Sequence, residues 1–168
     1  AEHFDGPIAI RFARGVAFPE IKEDINLQYG KGQILKEGSK DGNNAGGNVA
    51  IIAVGSMVEE TYKAIDMLEK ENVHPAFVNP VFIKPMDTEL IKRVAENYKH
   101  IIVVEEGIKK GGFGESVETF ILESGIDADV QVMAIDDRFV EQGNVALLRE
   151  EIGISYKNIY EKVMELTR

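Results

Sequence analysis

The sequence predicts a three-layer α/β sandwich, in which helices cover both faces of a mostly parallel five-stranded sheet with one antiparallel edge strand. Two observations predict it. The central strand candidates, such as residues 49–54 and 101–104, are short runs that are apolar on both faces, as in a sheet buried on both sides. An amphipathic segment of helical period follows each such run, and parallel neighbours need a helix as their crossover.

The first third of the chain is the least regular part. Residues 8–12 read as a strand, and residues 16–29, with Pro19 and no apolar period, read as a linker. Residues 30–37 predict a short strand before the glycine-rich stretch 38–47, which predicts an exposed turn. Because no crossover helix follows residues 30–37, we expect this strand to pair antiparallel at an edge of the sheet.

From residue 48 onward strands and helices alternate. Ser56, with Glu59 three residues later, predicts a capping box that starts the first helix, and Asp87 predicts the cap of the second. The remaining strands are expected at residues 76–82, 101–105 and 130–135, and the remaining helices at residues 87–98, 112–123, 144–151 and 155–166. All of residues 30–168 therefore fit one domain.

Composition excludes several classes of partner. A formal net charge of -10 would repel a nucleic acid backbone or an anionic lipid surface. No apolar run approaches the ~18 residues of a membrane span, so we expect no membrane insertion. The chain has no cysteine, which excludes disulfides and thiolate metal sites and fits a reducing compartment; we expect a cytoplasmic protein.

Candidate functional groups lie where the parallel strands are predicted to end. Glu105 and Glu106 precede a glycine-rich approach to a helix N-terminus, which suits either an anion site or a structural turn. The spacing of a phosphate-binding loop is missing, which favours the turn. His3, His74 and His100 have no metal-ligand partners at a useful spacing. We therefore expect all three histidines to lie at the surface or in turns.

Two further groups carry charge at strand ends. Residues 136–138, Asp-Asp-Arg, predict a salt-bridged loop in preference to a recognition loop. Arg11 and Arg14 flank the exit of the first predicted strand, beside Gly15. A guanidinium binds phosphate through two parallel hydrogen bonds, but arginines are also common solubilising residues of edge strands, so both interpretations stay open here.

An ordered set of short motifs resembles one known family. The motifs occupy residues 5–15, 30–32, 54–57, 82–87, 104–114 and 137–143. Together they resemble the carboxyl-terminal part of the 1-deoxy-D-xylulose-5-phosphate synthases, which are enzymes of the transketolase type. The resemblance implies that residues 1–15 end a pyrimidine-binding domain with its last strand, that residues 16–29 are a linker, and that residues 30–168 are a transketolase C-terminal domain.

The resemblance also implies a function for the longer parent protein. That enzyme would use thiamine diphosphate and Mg²⁺ to decarboxylate pyruvate and join the two-carbon unit to glyceraldehyde 3-phosphate, as a homodimer. Its catalytic, cofactor-binding and metal-binding residues would all lie in preceding domains, so we expect none in this chain and an inactive fragment. Arg14 would contact the substrate phosphate, with Arg11 the less favoured choice; Phe12-Ala13 stands where the family has Tyr-Pro.

Two other classes of protein remain as alternatives. The first is the β-subunit or C-terminal domain of a 2-oxo acid dehydrogenase or of a split transketolase. The second is a stand-alone binding module of flavodoxin-like shape.

Overall fold

The computed structural model describes residues 4–12, 27–39 and 46–167. Five strands and five helices lie in this part of the chain. The strands are β1 (Gln33–Lys36), β2 (Val49–Ala53), β3 (Ala76–Asn79), β4 (His100–Ile108) and β5 (Asp129–Ile135). The helices are α1 (Met57–Lys70), α2 (Thr88–Asn97), α3 (Phe113–Glu123), α4 (Val145–Glu151) and α5 (Tyr156–Leu166).

The five strands form one sheet in the order β1-β3-β2-β4-β5. Strands β2, β3, β4 and β5 run parallel, and β1 pairs antiparallel with β3 at one edge. The predicted fold class and the predicted antiparallel edge strand are both confirmed. The parallel strands therefore all end at the same edge of the sheet, which we call the carboxyl edge.

Two hydrophobic layers hold the helices to the sheet. Because side chains alternate along a strand, Ile51 and Ile102 face the layer that contains α1 and α5. Ile52 and Val103 face the opposite layer, which contains α2 and α3. All five residues of β2 are buried completely, which explains why this strand reads as an uninterrupted apolar run.

Of the two helix N-caps predicted from the sequence, the structure confirms one and contradicts the other. Asp87 accepts a hydrogen bond from the Leu90 amide at 3.1 Å and caps α2 as predicted. Ser56 precedes α1, but its side chain makes no cap hydrogen bond, so the predicted capping box with Glu59 is wrong. A capping box does form at α5, between Ser155 and Asn158.

Two predicted strands need correction. Residues 8–12 are not a strand, because no described segment pairs with them; Ile10 and Phe12 are 66% and 86% exposed. The strand predicted for residues 76–82 ends at Asn79, because Pro80 has no amide hydrogen and Val81 has φ 58°, outside the extended region.

The predicted linker and glycine-rich turn fall largely on residues 13–26 and 40–45, outside the described residues. In the part of the chain that the structure covers, no helix combines the length and the apolar character that crossing a membrane requires.

Candidate functional site

The adjacent carboxylates Glu105 and Glu106 lie near the end of β4, at the carboxyl edge, and they serve opposite faces of the sheet. Glu105 continues the alternation of Ile101 and Val103 and reaches the α2 and α3 face. Glu106 lies on the same side of the strand as Ile102 and Val104, and its side chain reaches the face covered by α1 and α5. This divergence follows from the alternation of side chains along a strand.

Glu105 occupies the N-terminus of α3. Its buried carboxylate accepts hydrogen bonds from the backbone amides of Phe113 at 3.1 Å and Gly114 at 2.8 Å. A Cβ at Gly112 would lie 2.6 Å from the same carboxylate, so the glycine gives this side chain its room. The glycine-rich loop is therefore a structural turn whose anion is the chain's own Glu105.

Glu106 forms an ion pair with Arg149 on α4. The guanidinium donates from Nε to Oε1 and from Nη2 to Oε2, both at 2.9 Å, and Ser56 Oγ donates to Oε2 at 2.6 Å. Burial opposes ionisation of Glu106, but the hydrogen bonds from Arg149 and Ser56 hold its pKa below the ordinary value. The hydroxyl of Ser56 is thus bonded to Glu106, which explains the missing cap on α1.

Arg149 also joins a second carboxylate, Glu60 on α1. Its Nη1 atom lies 3.4 Å from Glu60 Oε1, while Glu60 Oε2 accepts from the Tyr156 amide at the start of α5 at 2.9 Å. Sequence reasoning missed Glu60 and Arg149. They are separated by 89 residues, and no local spacing marks either one.

Strand pairing is irregular at this point of β4. Val104 pairs with Met133 and Ile108 pairs with Ile135, so three residues of β4 oppose a single residue of β5. Such bulges interrupt the ladder of hydrogen bonds and redirect side chains, often beside functional sites. Here the Glu106 carbonyl accepts a hydrogen bond from Arg11 Nη2 at 3.1 Å.

Aromatic side chains contact the start of the described residues 4–12, the stretch that also contains Arg11. The ring of Phe4 lies 4.9 Å from that of Tyr29, which lies 5.7 Å edge-on from Phe82 in the loop after β3. Residues 4–12, which we call the N-terminal segment, therefore extend along the carboxyl edge from the end of β3 to the end of β4. Sequence analysis did not predict this placement.

The other candidate residues, which are Arg14 and the three histidines, do not lie at the carboxyl edge in the described part of the chain. Arg14 and His3 lie outside the described residues. His74 Nε2 is 3.3 Å from Asn72 Oδ1, and His100 Nδ1 is 3.2 Å from Asp129 Oδ2 at the amino ends of β4 and β5. Both described histidines are thus away from the carboxyl edge, consistent with the predicted turn or surface roles.

The loop after β5 differs from its prediction. Asp136, Asp137 and Arg138 are exposed, and within the described residues no ion pair involves them, so the salt-bridged interpretation is wrong there. Phe139, which follows, is fully exposed.

The two helix starts at the carboxyl edge have negative charges of the chain beside them. The starts of α1 and α3 both lie beside carboxylates of the chain itself, Glu106 and Glu105, and these would repel an added anion. Among residues 4–12, 27–39 and 46–167, no cluster of three metal-ligating side chains occurs. With these carboxylates beside them, the starts of α1 and α3 do not suit a diphosphate group.

The fold is an α/β domain with a mixed five-stranded sheet, and comparison with known proteins identifies its family. The family "Transketolase, C-terminal domain" matches residues 36–159, well over half of the chain. The chain belongs to the transketolase C-terminal domain family.

The relatives of this chain include 1-deoxy-D-xylulose-5-phosphate synthases. A 1-deoxy-D-xylulose-5-phosphate synthase of Heliobacterium modesticaldum is 35% identical over 168 residues, covering 99% of this chain and 25% of the relative. One from Alkaliphilus oremlandii is 37% identical over 164 residues, covering 97% and 25%. The resemblance inferred from the motifs is confirmed. The chain spans about a quarter of the length of the relatives it matches.

A solved structure shows the same fold. It is described as a split gene transketolase, inactive beta4 tetramer, and it superposes with a TM-score of 0.75 at 27% identity. The match covers 87% of this chain and 45% of that chain.

Proposed function

We propose that this chain is the C-terminal part of a thiamine diphosphate-dependent 1-deoxy-D-xylulose-5-phosphate synthase. The parent enzyme would convert pyruvate and glyceraldehyde 3-phosphate to 1-deoxy-D-xylulose 5-phosphate and CO₂, for the synthesis of isoprenoid, thiamine and pyridoxal precursors. The observation that carries the proposal is identity of 35% over 99% of the chain to a synthase of that name.

In this proposal the domain supports chemistry that takes place on other domains. Because the two helix starts at the carboxyl edge are paired with Glu105 and Glu106, thiamine diphosphate and Mg²⁺ would be held by preceding parts of the protein. The isolated chain would be inactive. Residues 1–15 would end the pyrimidine-binding domain and residues 16–29 would link it to the C-terminal domain.

The described residues would place the N-terminal segment beside that active site. Arg14 follows the segment by two residues, and its match to the family's phosphate-contacting arginine supports a role on glyceraldehyde 3-phosphate. Arg11 is the weaker candidate, because its guanidinium already donates to the Glu106 carbonyl. We further propose a cytoplasmic homodimer, a state that would cover exposed side chains such as Phe12 and Phe139.

The test is Arg14→Ala in the full-length polypeptide that contains this chain. A charge-assisted contact to phosphate contributes about 1.5–3 kcal/mol, so kcat/KM for glyceraldehyde 3-phosphate should fall roughly 10- to 150-fold. The KM for pyruvate should change little, and Arg14→Lys should recover part of the loss. Kinetics within twofold of the parent would remove Arg14 from the phosphate site.

The second candidate function is a subunit of a split transketolase. The structural neighbour of that description favours it, since 87% of this chain superposes on that protein. Identity is higher to the synthases, 35–37% against 27%, which is why the synthase is preferred.

A further inference from the structure

Residues 136–151, which comprise the loop after β5 and helix α4, contribute little to the hydrophobic core. None of them is buried; Phe139 is fully exposed and Leu147 is 68% exposed. The flanking residues differ, since Ala134 is 8% exposed and Ile154 is completely buried. Apolar burial therefore fixes the chain on either side of residues 136–151, which we call the strap, but not the strap itself.

Few hydrogen bonds connect the strap to the rest of the domain. In the described part of the chain, side-chain bonds from the strap to other elements come from two residues, Arg149 and Glu150. Glu150 pairs with Lys157 on α5, but the two side chains are 48% and 47% exposed, so water weakens this pair. Backbone bonds join the strap to the following residues where α4 leads into α5, from the Ile154 and Ser155 amides to the Arg149 carbonyl.

The side chain of Arg149 makes the shielded contact between the strap and the sheet. It is 15% exposed, and its Nε and Nη2 atoms each lie 2.9 Å from a carboxylate oxygen of Glu106 on β4. Its Nη1 atom lies 3.4 Å from Glu60 on α1, whose side chain is 8% exposed. Charge-assisted bonds of this paired kind are strong, and removing one partner leaves the other charge uncompensated. Arg149 therefore holds the strap against two separate elements.

The two ends of the strap permit it to move without disturbing the sheet. At one end β5 stops at Ile135, directly before the strap begins. At the other end Gly153 has φ 81°, a conformation that glycine adopts readily, and Ile154 beyond it is fixed in the core. Movement between these points breaks the Arg149 contacts and leaves every strand pair of the sheet intact.

We propose that Arg149 holds the strap closed against Glu106 and Glu60, and that the strap opens as a unit when these contacts break, while the sheet stays folded. Segments with few buried apolar contacts open at a lower free energy than the core of a domain. Opening would expose the Glu60 carboxylate and the start of α1 to solvent at the carboxyl edge. This device belongs to the domain itself and does not rest on the proposed function.

The experiment is amide hydrogen exchange of the 168-residue chain, followed by NMR at several urea concentrations below the unfolding transition. The Leu148 and Ile152 amides, which are hydrogen-bonded within α4 and at its end, report on the strap. Their exchange rates should depend little on urea, because opening of the strap exposes little surface. The amides of β2 should exchange at rates that rise steeply with urea, because their exchange requires unfolding of the whole domain.

Three variants test whether Arg149 controls the opening. Arg149→Gln should accelerate exchange of the α4 amides roughly 10- to 150-fold, the effect of losing one charge-assisted hydrogen bond. Lys157→Ala removes the exposed pair with Glu150 and should accelerate it less than about fivefold. Glu105→Gln breaks bonds at the start of α3, on the opposite face of the sheet. It should accelerate exchange in β2 but not in α4, because opening of the strap leaves those bonds intact.

Each result supports or overturns the proposal. If the α4 amides share the rate and the urea dependence of β2, or if Glu105→Gln accelerates both equally, the strap opens only with the whole domain and the proposal is wrong. If Arg149→Gln accelerates α4 exchange no more than Lys157→Ala does, Arg149 does not hold the strap. Should Arg149→Gln fail to fold, Arg149→Lys replaces it, since lysine keeps the charge without the paired donors, and must still exceed the effect of Lys157→Ala.

Discussion

Glu105 offers a direct test of how the glycine-rich turn is stabilised. Replacement by Gln keeps one acceptor oxygen but turns an NH₂ group towards one of the two amides at the start of α3. The variant loses one charge-assisted hydrogen bond, about 1.5–3 kcal/mol, and the favourable interaction of the charge with the helix dipole, about 0.3–1 kcal/mol. We expect Glu105→Gln to lower the free energy of unfolding by about 3 kcal/mol.

The assay is thermal and urea unfolding of the 168-residue chain, followed by circular dichroism. A loss of about 3 kcal/mol corresponds to a Tm lower by about 6–12 °C for a domain of this size. Glu115→Gln is the matched control, because this exposed carboxylate accepts from the Gly111 amide at the same helix end. It should cost under about 1 kcal/mol. Equal losses in the two variants would refute the special role of the buried carboxylate.

Two further variants test the carboxyl edge. At Gly114 a Cβ would lie 2.4 Å from Val132 Cγ1 on β5, so Gly114→Ala should lower the free energy of unfolding by about 1–3 kcal/mol in urea unfolding. The control is Glu118→Ala at an exposed position of the same helix. If Gly114→Ala loses no more stability than this control, the close packing against Val132 is contradicted. The folded-state pKa of Glu106 is lowered, so its contribution is present above its unfolded pKa, about 4.3, and is lost as pH falls. When the pH is lowered from about 5 to about 3, the free energy of unfolding should therefore fall less in Glu106→Gln than in the parent. The measurement is the urea midpoint of each protein as a function of pH. If the two midpoint curves run parallel, the ion pair does not contribute as described.

The sequence predicted the parts of the fold that depend on local pattern. Uninterrupted apolar runs such as β2 exist because both faces of the strand are buried, and burial of that kind is readable along the chain. The opposite directions of Glu105 and Glu106 follow from the strand period alone. Asp87 was predicted as a cap because its partner amide is only three residues away.

Errors arose where a distant residue decides the structure. Ser56 and Glu59 have the spacing of a capping box, but Glu106, 50 residues away, is a charged acceptor that competes for the Ser56 hydroxyl. Residues 8–12 have strand character, but a strand needs a hydrogen-bonded neighbour, and the described residues supply none. The role of Arg149 depends on tertiary contacts across 43 and 89 residues, which no spacing rule detects.

The measurement that tests the proposed function most directly is product analysis of the purified full-length protein. The protein is given pyruvate labelled with ¹³C at C2, glyceraldehyde 3-phosphate, thiamine diphosphate and Mg²⁺, and its products are followed by NMR. The proposed function predicts 1-deoxy-D-xylulose 5-phosphate labelled at C2, together with unlabelled CO₂. Failure to consume pyruvate, combined with transfer of a two-carbon unit from a ketose phosphate to an aldose phosphate, would contradict it and indicate a transketolase.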